Sequence, residues 1–444
     1  MKEKKHLSFT ALRKMTSEKV NGWFDPRREG SVTHTLHDVV MSGLACMYFQ
    51  EPSLLQFQTE LEDEVHSNNL RTLFGVRSIP SSNAMKDTLD QQPSEQFNPI
   101  LKGTVQRLQR SKQLNQFKLF ADWSLCSIDA TLYYNSKKCH CKKCLTKEKG
   151  GTITYQHYAI QAALMHPGCK QVLPLYAESI QNGDGNKKQD CEINAAKRLL
   201  PQLHSLYPRM NLIITGDDLF SRQPMIRATR ELGYHYFFVA KPSSHTYMMS
   251  WLEAYESLPA LHEINDKGQQ IIHEWVNDIP LYDGDDAVRV NYFRKIVITF
   301  DGLGQEKMRS TGSWVTDMRV TATNVKLFVR GAKCRWKVEN ECFNTLKNQG
   351  YHLTHNYGHG ENHLSFNFYL LTVLAFLFHQ VAELCDIAYQ ACRKKAGSKR
   401  SLWEKLRTYI NLAVFESHEQ LLRFYVDRDR YNIIDGFVVE RTPP

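Results

Sequence analysis

The chain has 444 residues, with 56 lysines and arginines against 47 aspartates and glutamates and a formal net charge of +9. Its 42% hydrophobic and 11% aromatic content excludes a disordered polymer, and its eleven cysteines are too sparse for a disulfide scaffold. The length favours two or three structural units, and the modest basic excess suits a polyanionic partner without establishing one.

In chain order, residues 1–30 are polar and charged and are interrupted at Asp25-Pro26, which predicts a weakly ordered lead-in. Lys2, Lys4 and Lys5 are not followed by the apolar stretch of a secretory signal, so an intracellular protein is expected. From Thr35 to Gln50, Leu36, Val39, Val40, Leu44, Met47 and Tyr48 recur at helical spacing, and shorter helices fit between Leu54 and Phe97. Residues 31–117 therefore read as a helical N-terminal domain.

The texture changes near Asp122. Strands are predicted over 123–134, 152–165 and 171–178, followed by an amphipathic helix over 190–206 and a buried strand over 211–215. A helix near 222–232 and a strand over 234–240 complete an α/β core, 118–241 with 325–360, built on a mixed sheet. Residues 242–324, with short strands such as 288–292 and 296–300, read as an inserted β-rich subdomain in which Trp314 packs. Residues 333–349, 362–392 and 402–424 read as helices, so 361–444 forms a helical C-terminal region. The most apolar window, Phe366 to Phe378, is shorter than the roughly 20 residues that span a bilayer and predicts a buried helix, with no membrane partner.

Cleavage of a phosphodiester by in-line attack is served by divalent ions held on acidic side chains, and Mg2+ prefers carboxylate oxygens. Asp129 lies in the first strand and Asp217 just beyond the buried strand 211–215, so a mixed sheet brings them within reach of each other. Glu339 lies on a helix that returns to the sheet after the insertion. Pattern alone ranks these three only weakly above the other acids, most of which are surface charges.

Ile128-Asp129-Ala130-Thr131, Gly216-Asp217-Asp218-Leu219-Phe220 and Arg335-Trp336-Lys337-Val338-Glu339-Asn340-Glu341 together resemble the insertion-sequence DDE transposases, in the group with a β insertion before the glutamate helix. Lys188-Gln189-Asp190-Cys191-Glu192 and the string from Gly350 to Gly360 belong to the same resemblance, which spans about 35 to 380. It implies a ribonuclease H-like fold, with Asp129, Asp217 and Glu339 as catalytic ligands of two Mg2+ or Mn2+ ions. It also implies cut-and-paste transposition, with double-stranded DNA, terminal repeats and target, as partner and a homodimer formed on it. The compartment implied is a bacterial-type cytoplasm, on the nucleoid. The spacing to Phe220 favours Asp217 over Asp218. Glu341, about 200° from Glu339 around an α-helix, cannot face the same ions. Arg335 and Lys347 are expected to contact DNA, as are Lys138 and Lys142 in a lysine-rich hairpin. The wider superfamily's tyrosine position is occupied by Ala332, and Lys347 lies one place later than usual.

Cys139, Cys141 and Cys144, with His157 or Cys169, are a candidate structural zinc set. His352, His355 and His359 are expected to structure the loop after Glu339, and the basic run 393–400 reads equally as a DNA contact or a solvated linker. Two other functions stay open: a nuclease of the same fold without strand transfer, and a non-catalytic transposase-derived DNA-binding protein. A zinc-dependent regulator is more distant.

Overall fold

The computed structural model describes residues 5–28, 30, 32–61, 64–182 and 189–441; Lys2, Lys4 and Lys188 lie outside them. Order begins earlier than the composition predicts, with helix α1 (Phe9–Val20). The Ser8 hydroxyl caps it by accepting from Ala11 N, and Phe9, Leu12, Met15 and Val20 form a buried stripe between the charged residues. Next comes α2 (Leu36–Tyr48), capped by Thr35 and buried along nearly its whole circumference. Four more helices follow: α3 (Leu54–Leu61), α4 (Glu64–Asn69), α5 (Ser82–Asp90) and α6 (Asn98–Arg110).

The sheet opens with β1 (Lys118–Phe120) and the long β2 (Trp123–Ser136), then β3 (Leu145–Lys149), β4 (Thr152–Met165) and β5 (Leu173–Ile180). After these come α7 (Glu192–Leu206), β6 (Asn211–Gly216), α8 (Gln223–Glu231) and β7 (His235–Val239). β4 lies antiparallel to β2, β3 and β5, whereas β6 runs parallel to β2 and β7 parallel to β6. The result is a mixed sheet with helices packed on it.

The insertion contains α9 (Thr246–Glu253), β8 (Ala260–Ile264), β9 (Gln270–Pro280), β10 (Arg289–Phe300) and β11 (Glu306–Thr316). This β-rich segment continues the main sheet. Trp314 and Val315 of β11 pair with Val239 and Phe238 of β7, so the order runs β3-β4-β2-β6-β7-β11-β10-β9-β8 in one sheet. Trp314 is buried and stacks on Phe293. The two short strands expected at 288–292 and 296–300 are one continuous strand, because β9 and β11 pair with it on both sides.

Beyond the insertion lie α10 (Val325–Lys333), a π-helical turn at Val338–Phe343, α11 (Asn344–Asn348) and α12 (Leu364–Cys385). The chain ends in α13 (Ile387–Ala396), α14 (Lys399–Leu412), α15 (His418–Val426) and a hairpin of β12 (Tyr431–Ile434) and β13 (Phe437–Glu440). The helix expected over 362–392 breaks because Asp386 caps a new one, accepting from Tyr389 N.

The apolar window at 366–378 belongs to the 22-residue α12, which is long and apolar enough to cross a membrane, yet 94% of its most apolar stretch is buried within the fold. α12 joins what the sequence divides. On one side Leu371 abuts Gly43 of α2 and Thr372 donates to Met47 Sδ; on the other Tyr369 donates to Gln161 Oε1 on β4, and Gln380 accepts from Val172 N. The N-terminal helices, the sheet and the C-terminal helices therefore share one hydrophobic core.

Candidate active site

Asp129 stands on β2 because that strand continues past its pairing with β6. The last parallel pair is Ser127 with Thr215, and Asp129 and Asp217 each follow two residues later, Asp129 within β2 and Asp217 just past the end of β6. Asp217 tops a tight turn. Gly216 leaves room for Phe220, whose ring atom would lie 2.6 Å from a Cβ there, and Phe220 is fully buried. Asp217 Oδ1 accepts from Leu219 N at 2.8 Å. Its neighbour Asp218 is committed elsewhere: Lys241 N and the Ser244 hydroxyl donate to its two oxygens at 2.6 and 2.5 Å. Asp218 thus accepts from two donors outside its own turn, whereas the Asp217 hydrogen bond is local to the turn.

Glu339 does not lie on the uninterrupted helix expected from 333 to 349. The chain turns at Cys334 and Arg335 and rewinds as the π turn, with Val338 and Cys342 fully buried and Glu339 and Glu341 exposed. Arg335 Nη1 donates to Glu339 Oε1 at 2.5 Å and lies 3.5 Å from Asp129 Oδ2. Arg335, expected to contact DNA, thus bridges two of the three predicted acids. Its Nε is buried without a hydrogen-bond partner.

A fourth carboxylate, Glu192, was part of the motif string but carried no assigned role. It is the first residue of α7, and Arg198 pins that end of the helix by pairing with Asp190 and with Glu178 on β5. Glu192 Oε1 is buried without a hydrogen-bond partner. Burial pushes its carboxyl up to about 7, and the charges of Asp129 and Asp217 push the same way. Asp129 is likewise raised to about 7 by burial, with Arg335 opposing and Glu339 and Asp217 reinforcing. Lys347 is half-buried; burial lowers its pKa while the charge of Asp129 raises it, which places it within electrostatic reach of the cluster. A glutamate opening an amphipathic helix between the two aspartates was the available signal for Glu192.

Arg335 pairs with Asp129 and Glu339, the charges of Asp217 and Glu192 act on the same cluster, and Glu192 Oε1 has no hydrogen-bond partner. Carboxylate oxygens are the ligands that hard divalent cations such as Mg2+ or Mn2+ prefer.

The other predicted residues lie apart. Lys138 and Lys142 are exposed on the turn between β2 and β3. Cys139 does not join the thiol cluster: it is exposed, and its carbonyl accepts from the Tyr134 hydroxyl. Cys169 sits elsewhere, donating to Gln116 O. Cys141, Cys144 and His157 do converge, and the fourth member is His359, for which the sequence favours a loop-structuring role. His352 occupies a left-handed backbone position, and His355 packs edge-on against Tyr357. Compared with protein-family models and with curated proteins, the sequence matches none. What fold and site define together is a mixed α/β protein with a cluster of acidic side chains beside the parallel strands β2 and β6.

Proposed function

We propose that the chain is a DDE-type transposase that cuts DNA at the ends of a mobile element and joins the freed end to new DNA. The observation that carries this reading is the meeting of Asp129 and Glu339 at Arg335, with Asp217 just beyond the end of the adjoining parallel strand. A ribonuclease H-like core is supported by the strand sequence, three antiparallel strands (β2, β4, β5) followed by parallel β6 and β7 with helices between. Asp129, Asp217 and Glu339, with Glu192 beside them, would hold two Mg2+ or Mn2+ ions, which when bound supply activation of the attacking oxygen and stabilisation of the departing one.

In the first step a water oxygen bonds to phosphorus while the bond from phosphorus to the 3′ oxygen breaks, leaving a 3′-hydroxyl and a 5′-phosphate. In the second, that 3′-hydroxyl attacks another phosphorus, exchanging one phosphodiester for another. Arg335 holds Asp129 and Glu339 in place, and Lys347 adds positive charge where the phosphate arrives. Lys138 and Lys142, with the exposed Lys137, Lys147 and Lys149 nearby, offer sequence-independent contacts to the DNA backbone. Two protomers, each on one element end, complete the reading.

The test is Mg2+-dependent cleavage and joining of DNA carrying the element's own ends. Asp129→Ala, Asp217→Ala and Glu339→Ala are expected to bind DNA but lose cleavage by at least about a hundredfold, while Asp218→Asn and Glu341→Ala keep it. Cutting without joining would leave a nuclease, and binding without cutting would leave a DNA-binding protein.

A further inference from the structure

The turn between β2 and β3 presents Cys141 and Cys144 three residues apart. Opposite them are His157, on β4, and His359, in the loop that follows the glutamate segment. Their donor atoms all lie within 4.8 Å of one another. The two sulfurs are 4.0 Å apart; His157 Nε2 lies 3.7 Å from Cys141 Sγ and 3.3 Å from Cys144 Sγ; His359 Nε2 lies 3.3 Å from Cys144 Sγ and 3.1 Å from His157 Nε2. A tetrahedral zinc with bonds of about 2.3 Å to sulfur and about 2.0 Å to nitrogen requires edges of about 3.8 Å between sulfurs, 3.5 Å from sulfur to nitrogen and 3.3 Å between nitrogens. The five edges given follow the same order, and the sixth, from Cys141 to His359, lies within 4.8 Å.

Hydrogen bonding alone does not account for this arrangement. Two imidazole nitrogens and two thiols converge on one point, and a single proton can lie on each line between a pair. His157 Nδ1 is buried without a partner, so the Nε2 side of that ring is the engaged side. Cys144 and His157 are almost fully buried, and Tyr134 lies against both His157 and His359.

The geometry points to a structural zinc site formed by Cys141, Cys144, His157 and His359. With two thiolates and two imidazoles the ion is closed off, with no position for substrate, and the soft sulfur ligands favour zinc over the hard cations suited to the carboxylate centre. The site ties three parts of the fold together. Through Cys141 and Cys144 it holds the turn whose Lys143 donates to Asn362 O and whose Cys144 O accepts from Asn182 Nδ2. Through His157 it holds β4, the neighbour of the strand that carries Asp129. Through His359 it anchors the chain leaving the Glu339 segment, just before α12. It therefore acts as a staple behind the acidic centre, and it does not depend on the proposed reaction.

The experiment is elemental analysis of the purified full chain, with titration of the metal-stripped chain by Co2+. One zinc per chain is expected, retained by Cys139→Ser and Asp129→Ala and lost from the paired Cys141→Ser, Cys144→Ser variant and from His359→Ala. The Co2+ form is expected to show tetrahedral visible bands with thiolate charge transfer, which keeps the test decisive where a variant fails to fold. A chain that takes up neither zinc nor Co2+, a Co2+ spectrum without thiolate charge transfer, or zinc lost with Cys139 would overturn the assignment. Because no DNA enters the measurement, its failure and that of the transposase reading remain distinct.

Discussion

Glu192 concentrates the conflict between folding and site at the scale of a single residue. Its buried, unpartnered oxygen lies beside other negative charges, an arrangement that costs stability whenever no cation is present. Glu192→Gln keeps the shape and removes the charge. The variant is expected to unfold at a higher temperature than the parent in the presence of a chelator, and to cleave element-end DNA more slowly in Mg2+. A midpoint that stays unchanged or falls would mean that Glu192 is satisfied in some other way. Asp218 makes the opposite case: it stands next to a predicted ligand, but the Lys241 amide and the Ser244 hydroxyl already occupy both its oxygens.

The start of α12 is the element on which both proposed sites lean. Asp90, at the end of α5, caps it from a distance, its carboxylate accepting from the backbone amides of Glu361, Asn362, His363 and Leu364 at 2.9 to 3.0 Å. Gly360 lets the chain approach so closely: its φ is +68°, and a Cβ there would lie 2.3 Å from Asp90 Oδ1. Asp90→Ala is expected to cost about 2 kcal/mol, at the upper end for a helix cap because several amides lose their acceptor together. Burial opposes ionisation of Asp90, but the four amides prevail and hold its pKa below the ordinary value. Since the folded-state pKa is depressed, the stabilisation is full above the unfolded carboxyl pKa near 4 and is lost as the pH falls through the folded one. Urea unfolding of parent and Asp90→Ala at neutral pH and near pH 3 is expected to show the gap narrowing in acid. A gap independent of pH would rule out a role for the ionised carboxylate.

On the scale of the whole molecule, α12 packs the N-terminal helices and the sheet against the same core. It meets α2 through Leu371 and Thr372, and the sheet through Tyr369 and Gln380. Asn69 adds a second tie, donating to the carbonyls of Ile410 and Ala413 and accepting from Phe415 N. A fragment of residues 118–360, the length of the core that sequence texture defines together with its insertion, exposes the apolar faces that α2 and α12 cover. It is expected to be insoluble or to lack a cooperative thermal transition, whereas the full chain shows one transition by both circular dichroism and tryptophan fluorescence. A soluble, cooperatively folding fragment would show that the regions are separable after all.

Much of the local structure is legible from side-chain pattern, because a strand or helix buried on a known face must repeat its apolar residues at a fixed period. β4 keeps the bounds Thr152–Met165 expected of it, and β6 and α7 differ from expectation by one or two residues. The strands that carry or precede Asp129 and Asp217, β2 and β6, are neighbours and run parallel. Other features depend on partners remote in sequence. β11 joins the insertion to the main sheet through the backbone of β7, and backbone hydrogen bonding leaves no signature in side-chain pattern. α1 is ordered by burial of a stripe that its charged neighbours obscure. Cys139 gives way to His359 because the folded turn directs Cys141 and Cys144 toward β4 and the loop before α12, and Glu192 joins the acids because α7 begins beside Asp129. Periodicity determined the elements, and only the packing of distant segments decided which side chains share a site.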